Sequence, residues 1–304
     1  MDLPEFELER YFAHYEFEVP HLLGASDVEA YRLDELLALS GEEERALWGE
    51  LSLGYTESAG GPLLRGEVSG LYETVDREDV LVFSGAEEAV FVLLNVVLGP
   101  GDHAVVTWPA YASLHEVARA AGAEVTLLPL EHERGWALDL DALRAAVRPE
   151  TRLIVTNFPH NPTGALPDAA TFRGVVEVAR EAGAYLLSDE VYRLLEHEPS
   201  ERLPAAVDLY EWAISLGVMS KAFALAGLRI GWISTHDRDL LRRCAAFKDY
   251  TTICNSAPSE ALSLIALKAR EKVLARSREI IDRNLPYADR FFQEWRGVFD
   301  TESG

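Results

Sequence analysis

The chain has 304 residues, 48% of them hydrophobic, with 28 basic against 51 acidic residues and a formal net charge of −23. That length can bury a large core, as one α/β domain or one and a fraction, and the charge argues against nucleic acid because the long-range field would repel it. No apolar run approaches the roughly 20 residues of a membrane span, the acidic start Met1–Glu5 does not read as a signal peptide, and Cys244 and Cys254 make neither a disulfide framework nor a metal set, so a cytoplasmic protein without a metal is expected.

The first 45 or so residues are rich in aromatics and acids (Phe6, Tyr11, Phe12, Tyr15, Phe17) and fit no strand–helix pattern. We assign 1–45 to a smaller unit, 46–282 to a large ligand-binding domain, and 283–304 to the start of a C-terminal small domain. Within the large part, Val80–Phe83 reads as a strand and Glu87–Leu98 as a helix that stops at Gly99-Pro100-Gly101. Strand Ala104–Thr107, helix Ser113–Ala121 and strand Glu124–Leu130 follow. Then come helix Asp141–Val147, strand Arg152–Thr156, helix Ala169–Ala182 and strand Tyr185–Ser188. Ala213–Leu216 and Arg229–Ser234 read as later strands. A long charged helix is expected from about Ser259 to Asn284, with Pro286 interrupting it. Alternation of apolar strands with helices predicts an α/β fold, a mostly parallel sheet sandwiched by helices, with its ligand at the carboxyl ends of the strands.

Five motifs fall at those ends. Ser84-Gly85-Ala86-Glu87 opens a helix, where bare backbone N–H groups suit a phosphate; taken alone, a capping box from Ser84 to Glu87 is the favoured reading. Tyr111 follows the second strand and could stack on a planar ring, or simply pack in its loop. The turn from Asn157 to Gly164 would hold Asn161 with its amide free to donate. Asp189 ends a buried strand, where a carboxylate needs a partner, whereas Glu190 reads as a surface or helix-start charge. Ser220-Lys221 and Arg229 form the last group. Lys221 is the first of only four lysines, against 24 arginines, and a primary amine can form a Schiff base where a guanidinium cannot. Its small apolar neighbours would desolvate the amine. Arg229, at the start of an apolar strand, would need a buried anion or an internal carboxylate.

Together these groups describe one ligand. Lys221 suits an aldehyde, Tyr111 an aromatic ring and Asp189 a cationic ring nitrogen. Asn161 and Tyr192 suit a phenolate, and Gly85, Ala86, Ser220 and Arg229 a phosphate. Pyridoxal 5′-phosphate carries all of them.

The ordered set Gly85-Ala86, Tyr111, Asn161-Pro162-Thr163-Gly164, Asp189-Glu190-Val191-Tyr192, Ser220-Lys221 and Arg229 resembles the class I/II aminotransferases of fold type I, over nearly the whole chain. The segments Leu53-Gly54-Tyr55 and Gly61–Arg65 match as well. The Phe6–Phe12 and Lys248–Thr252 stretches are similar to a subgroup near capreomycidine synthase. The resemblance implies Lys221, Asp189 and Tyr192 as catalytic residues. It places Gly85, Ala86, Glu87, Tyr111, Asn161, Ser220 and Arg229 on the cofactor. It also implies a homodimer in which Tyr55 reaches the phosphate of the neighbouring subunit. The expected activity is transfer of an amino group between an amino acid and a 2-oxo acid, with cyclisation, β-elimination or oxidation on the same cofactor, or a catalytically incomplete pyridoxal phosphate-binding protein, as the alternatives. Two departures stand out. Val218 occupies a position where the family often has a phosphate-binding serine. No residue matches the arginine that grips the substrate carboxylate, so the chain reads as C-terminally truncated; Arg290 and Arg296 lie on the connecting helix and are not assigned that role. A nucleotide-binding protein is disfavoured because no G-x-G-x-x-G or Walker sequence follows a predicted strand.

Overall fold

In the computed structural model, which describes residues 2–22 and 24–295, seven strands form one sheet in the order β1-β7-β6-β5-β4-β2-β3. They are β1 Val80–Phe83, β2 His103–Trp108, β3 Glu124–Pro129, β4 Thr151–Asn157, β5 Tyr185–Asp189, β6 Ala213–Val218 and β7 Gly231–Ser234. Strands β3, β2, β4, β5 and β6 run parallel to one another, while β7 is antiparallel to both β6 and β1. The mostly parallel sheet expected from the sequence is therefore present.

Apart from the edge strand β3, which is partly exposed, its strands are buried on both faces, and the two-residue side-chain period divides them between cores. Leu81, Phe83, Ala104, Val106, Leu153 and Val155 face α5 (Ala86–Val97), α6 (Ser113–Ala120) and α9 (Arg238–Lys248). On the other face Val105, Ile154 and Leu186 meet α7 (Leu140–Ala146) and α8 (Ala169–Ala182). Val80, Val82 and Trp232 meet α2 (Leu33–Ala38), α4 (Pro62–Ser69) and α10 (Ala257–Lys268). The remaining helices are α1 (Glu7–Tyr15), α3 (Glu42–Gly49) and α11 (Arg270–Glu294). Local signals mark several boundaries. Asp168 caps α8 by accepting from the Thr171 N–H at 2.7 Å, and Gly183 ends that helix at φ +60°, as cap chemistry requires.

Two boundaries differ from expectation. Arg229 does not start a strand; it sits in a left-handed turn at φ +52°, exposed, and β7 begins at Gly231. The long C-terminal helix is two helices, broken at Ala269, and Pro286 lies inside α11 without ending it. Proline removes one intrahelical bond, and the exposed carbonyl it orphans can turn to water. Around Pro286, α11 exposes Leu285 and Tyr287, and further on Phe291, Phe292 and Trp295. Arg296 and the rest of the expected C-terminal unit lie outside the described residues.

Candidate active site

Four parallel strands, β2, β4, β5 and β6, deliver their carboxyl ends to one side of the sheet, where loops carry Tyr111, Asn161, Tyr192 and Lys221. They border a cavity of about 430 Å³. Ala86, Glu87, Tyr111 and Asn161 line it, as do Asp189, Tyr192, Ser220, Lys221 and Arg229. The structure thus brings together nine of the eleven residues singled out from sequence.

Gly85 stands just behind the lining. It is the N-cap of α5 at φ +94° with no side-chain cap, and a Cβ there would lie 2.6 Å from Arg229 Nη2. Only glycine permits both that backbone and that approach. The expected capping box is corrected: Glu88, not Glu87, reaches back, its carboxylate accepting from the Ser84 N–H at 2.6 Å. Glu87 instead faces the cavity, and burial raises its pKa. Bare N–H groups at a helix start beside a guanidinium make an anion site. Val218, at the position where the resembled family often has a phosphate-binding serine, lines the cavity, and so does Ser220.

Asp189 closes β5. It is buried, and its Oδ1 accepts the Val191 N–H at 3.2 Å. Burial first, with the neighbouring charges of Glu190 and Glu87 added, pushes its carboxyl up to about 7. No ion pair to this carboxylate occurs among the described residues, the Lys221 charge only partly offsetting its burial, and a protonated ring nitrogen would supply a partner. Asn157, not anticipated from sequence, fixes the floor: its Nδ2 donates to the Asp189 carbonyl at 3.1 Å and its Oδ1 accepts the Asn161 N–H at 2.8 Å. The Asn161 side-chain amide has no hydrogen-bond partner among the described residues.

Glu190 corrects another expectation. It is buried rather than at the surface, accepting from the Ala206 N–H at 2.9 Å and the Ser215 hydroxyl at 2.8 Å, and burial raises its pKa.

Lys221 is not enclosed in apolar surroundings. Its Nζ pairs with Asp27 Oδ1 at 2.7 Å and donates to Ser26 Oγ at 3.3 Å, with the side chain 22% exposed. Tyr192 also donates to Ser26 Oγ, at 2.8 Å. Across the cavity the Tyr111 hydroxyl donates to Glu9 Oε1 at 2.5 Å, and its ring stands 5.0 Å from that of Phe6. Burial leads the rise in the Tyr111 pKa. Ser26, Asp27 and Glu9 were missed because they belong to the aromatic, acidic N-terminal segment. That composition was its visible signal, but nothing local tied it to the cavity.

Tyr55 is the residue that a single chain does not bring in. It is 91% exposed and borders a separate groove with Leu51, Leu63 and Leu264. No cluster of metal-ligating side chains occurs among the described residues.

A wound α/β sheet with a lysine, a buried carboxylate and a helix-start anion site at its strand ends defines a cofactor-binding protein of the pyridoxal phosphate type. The chain belongs to the aminotransferase class I and II family, whose profile matches residues 28–296. It is 33% identical over 277 residues to capreomycidine synthase of Streptomyces vinaceus, covering 90% of this chain and 70% of that one. It is 34% identical over 203 residues to a probable N-succinyldiaminopimelate aminotransferase of Mycobacterium tuberculosis, covering 66% and 51%. The crystal structure of a PLP-dependent aminotransferase from Streptococcus suis superposes with a TM-score of 0.90 at 33% identity, covering 97% of this chain and 78% of that one. Pyridoxal phosphate is the cofactor of this family, and the residues present fit it. The bare start of α5 with Arg229 suits the phosphate, the buried Asp189 suits the ring nitrogen, and Lys221 suits the aldehyde.

Proposed function

We propose that the chain is a pyridoxal phosphate-dependent aminotransferase that moves an amino group from an amino acid to a 2-oxo acid. The observation that carries this reading is the convergence of the Lys221 amine and the buried Asp189 carboxylate on one cavity of about 430 Å³.

When bound, the cofactor supplies an electron sink for the charge that develops on the substrate α-carbon. The chain's own residues do the rest. Ala86, Ser220 and Arg229 hold the phosphate end with N–H, hydroxyl and guanidinium donors. Asp189 keeps a proton on the ring nitrogen, which its burial makes energetically necessary on both sides: the carboxylate gains a counter-charge, and the ring stays cationic. Tyr192 and Asn161 aim donors at the ring oxygen. Tyr111 fixes the ring plane, braced by Phe6. Lys221 would hold the cofactor through its aldehyde, and its Nζ would serve as the general base and then the general acid for the proton of the substrate α-carbon. The Tyr192 ring, 5.8 Å from Nζ, and the Ser26 hydroxyl, which accepts from Nζ at 3.3 Å, flank that amine.

Tyr55, exposed together with Leu53 and Leu63, supports a homodimer in which it completes the phosphate site of the second copy. Two free cysteines suit a reducing, cytoplasmic compartment, and no helix among the described residues is long and apolar enough to cross a membrane. The similarity to capreomycidine synthase supports a second outcome, cyclisation, on the same residues; product analysis separates the two, because only transamination consumes a 2-oxo acid. The test is the visible absorbance of the purified protein with added cofactor, before and after borohydride, beside Lys221→Ala. A yellow band that borohydride fixes to the chain, absent from the variant together with all turnover, is the expected result. Full turnover in Lys221→Ala would refute the mechanism.

A further inference from the structure

The Lys248–Thr252 stretch singled out from sequence adds nothing to the lining of the cavity, yet it reaches the phosphate end from behind. Thr251 and Thr252 donate their hydroxyls to Glu88 Oε1 at 2.6 and 2.8 Å. The other oxygen of that carboxylate, Oε2, accepts the Ser84 N–H at 2.6 Å. Glu88 is the third residue of α5 and does not itself line the cavity. Its side chain is a strut between the turn that enters α5 and a loop 163 and 164 positions away.

Both ends of the strut are informative. On the loop side, the threonines lie in a turn whose flanking residues, Lys248 and Asn255, are buried. Lys248 Nζ is tied to Ser58, Val82 and Asn255, and Asn255 Nδ2 donates to Glu260 Oε1 at 2.8 Å. The Thr251 and Ile253 N–H groups both donate to the Lys248 carbonyl, at 2.9 and 3.1 Å. The turn is therefore a fixed anchor. On the helix side, Gly85 offers no side-chain cap. The N–H groups of Ala86 and Glu87, residues that line the cavity, are left for an anion. Their direction follows from the turn at Ser84, which Glu88 holds. A hydrogen bond weakens steeply once its angle closes below about 120°. A small rotation of that turn therefore costs the phosphate far more than the ring, which Asp189 and Tyr111 hold.

We infer that Glu88 is a positioning residue for the phosphate end of the cofactor. It aims the first N–H groups of α5 through Ser84 and is itself held in place by Thr251 and Thr252. In the proposed function, on which this inference rests, the anion is the phosphate of pyridoxal phosphate.

An ordinary helix cap would stabilise the fold without regard to the ligand. Pyridoxal separates the two roles, because it lacks the phosphate and keeps the ring nitrogen and the aldehyde. Dissociation constants of pyridoxal phosphate and pyridoxal are measured by absorbance titration of the cofactor-free full chain. The proteins are the wild type, Glu88→Ala, Glu88→Gln and the double variant Thr251→Val with Thr252→Val. In Glu88→Ala, pyridoxal phosphate is expected to bind about tenfold or more weaker, while pyridoxal changes by less than about twofold. Glu88→Gln keeps an oxygen for the Ser84 N–H and offers an amide to the threonine oxygens, so it should stay within about threefold of the wild type for pyridoxal phosphate. The double variant should follow Glu88→Ala in direction, with a smaller loss. Equal weakening of both ligands in Glu88→Ala, including loss of both, would assign the carboxylate to the fold alone and overturn the inference. Unchanged pyridoxal phosphate affinity in Glu88→Ala or in the double variant would also overturn it, as would a Glu88→Gln as weak as Glu88→Ala. Each of these outcomes leaves the proposed function standing. A wild type that takes up no pyridoxal phosphate would overturn both.

Discussion

At the scale of single residues, the site is organised around groups whose charge is costly. Asp189 is the clearest. Its carboxyl is pushed from an ordinary 3.8 up to about 7, chiefly by burial. The folded, cofactor-free chain therefore binds this proton more tightly than the unfolded chain does. Stability falls as pH rises through that interval and stays low above it. The interval corresponds to about 4 kcal/mol at most. Urea unfolding of the cofactor-free protein should show Asp189→Asn gaining on the wild type from pH 4 to pH 7, by several kcal/mol at the upper end. Added pyridoxal phosphate should narrow the gap by giving Asp189 its cation. Parallel pH curves for the two proteins would mean that the carboxyl is solvated after all. Sequence reasoning reached Asp189 because a carboxylate ending an apolar strand is conspicuous. It misjudged Glu190, one residue on, because the buried partners that hold it, Ala206 and Ser215, lie 16 and 25 positions away. It misjudged Arg229 for the opposite reason: two residues of left-handed turn and approach precede β7, and an apolar run does not announce where its pairing starts.

At the scale of elements, the first turn of α5 is set by close contacts with β7 rather than by its own sequence. A Cβ at Gly231 would lie 2.6 Å from the Ala86 nitrogen and 2.7 Å from the Gly85 carbonyl carbon. Both are backbone atoms, so the helix start must move. Gly231→Ala is expected to weaken pyridoxal phosphate binding about tenfold or more by displacing the N–H donors, at a cost of about 1–3 kcal/mol in stability from overpacking. Gly227→Ala, where nothing lies within 4 Å of the added carbon, is the control and should change neither; absorbance titration with cofactor reads both. The seven strands and the helices between them were legible because the strands are near-continuous apolar runs, the helices keep a 3.6 period, and glycines mark the stops. Helix α1 was not, since none of its residues is buried and its place is fixed by Glu9 meeting Tyr111 over 102 positions. Helix α9 was missed because its inward face, Leu240, Leu241, Cys244 and Lys248, is interleaved with arginines and ends in a charge. The break between α10 and α11 falls at an alanine, which carries no stop signal. Lys248 shows how little local sequence can say here. It is fully buried, and its ammonium donates to the Ser58 carbonyl at 2.6 Å, the Val82 carbonyl at 2.8 Å and Asn255 Oδ1 at 3.2 Å. Lys248→Met would leave those acceptors without a donor, at about 1–3 kcal/mol. Hydrogen exchange should then accelerate in the segment before β1 that ends at Ser58 and Gly60, while α7 and α8 across the sheet stay protected. Uniform acceleration would mean that the lysine supports the whole fold rather than that segment.

At the scale of the whole molecule, a net charge of −23 works against compactness, and the ion pairs that could offset it are mostly at the surface. Arg32–Asp34 and Arg144–Asp141 are examples, with side chains half or more exposed, and such pairs contribute about 0–1 kcal/mol each. Pairs with a buried partner, such as Arg238 with Asp79 at 2.8 Å and Lys268 with Glu44 at 2.6 Å, are screened less by salt. Raising the ionic strength from about 0.01 M to about 0.15 M shortens the screening length from about 30 Å to about 8 Å. This removes long-range repulsion among the excess carboxylates while leaving the short buried pairs nearly intact. The melting temperature should therefore rise by a few degrees over that range at pH 8, measured by thermal unfolding in sodium chloride. A melting temperature that falls with salt would mean that surface ion pairs outweigh the repulsion. The surplus of acid would then be part of what holds the fold together.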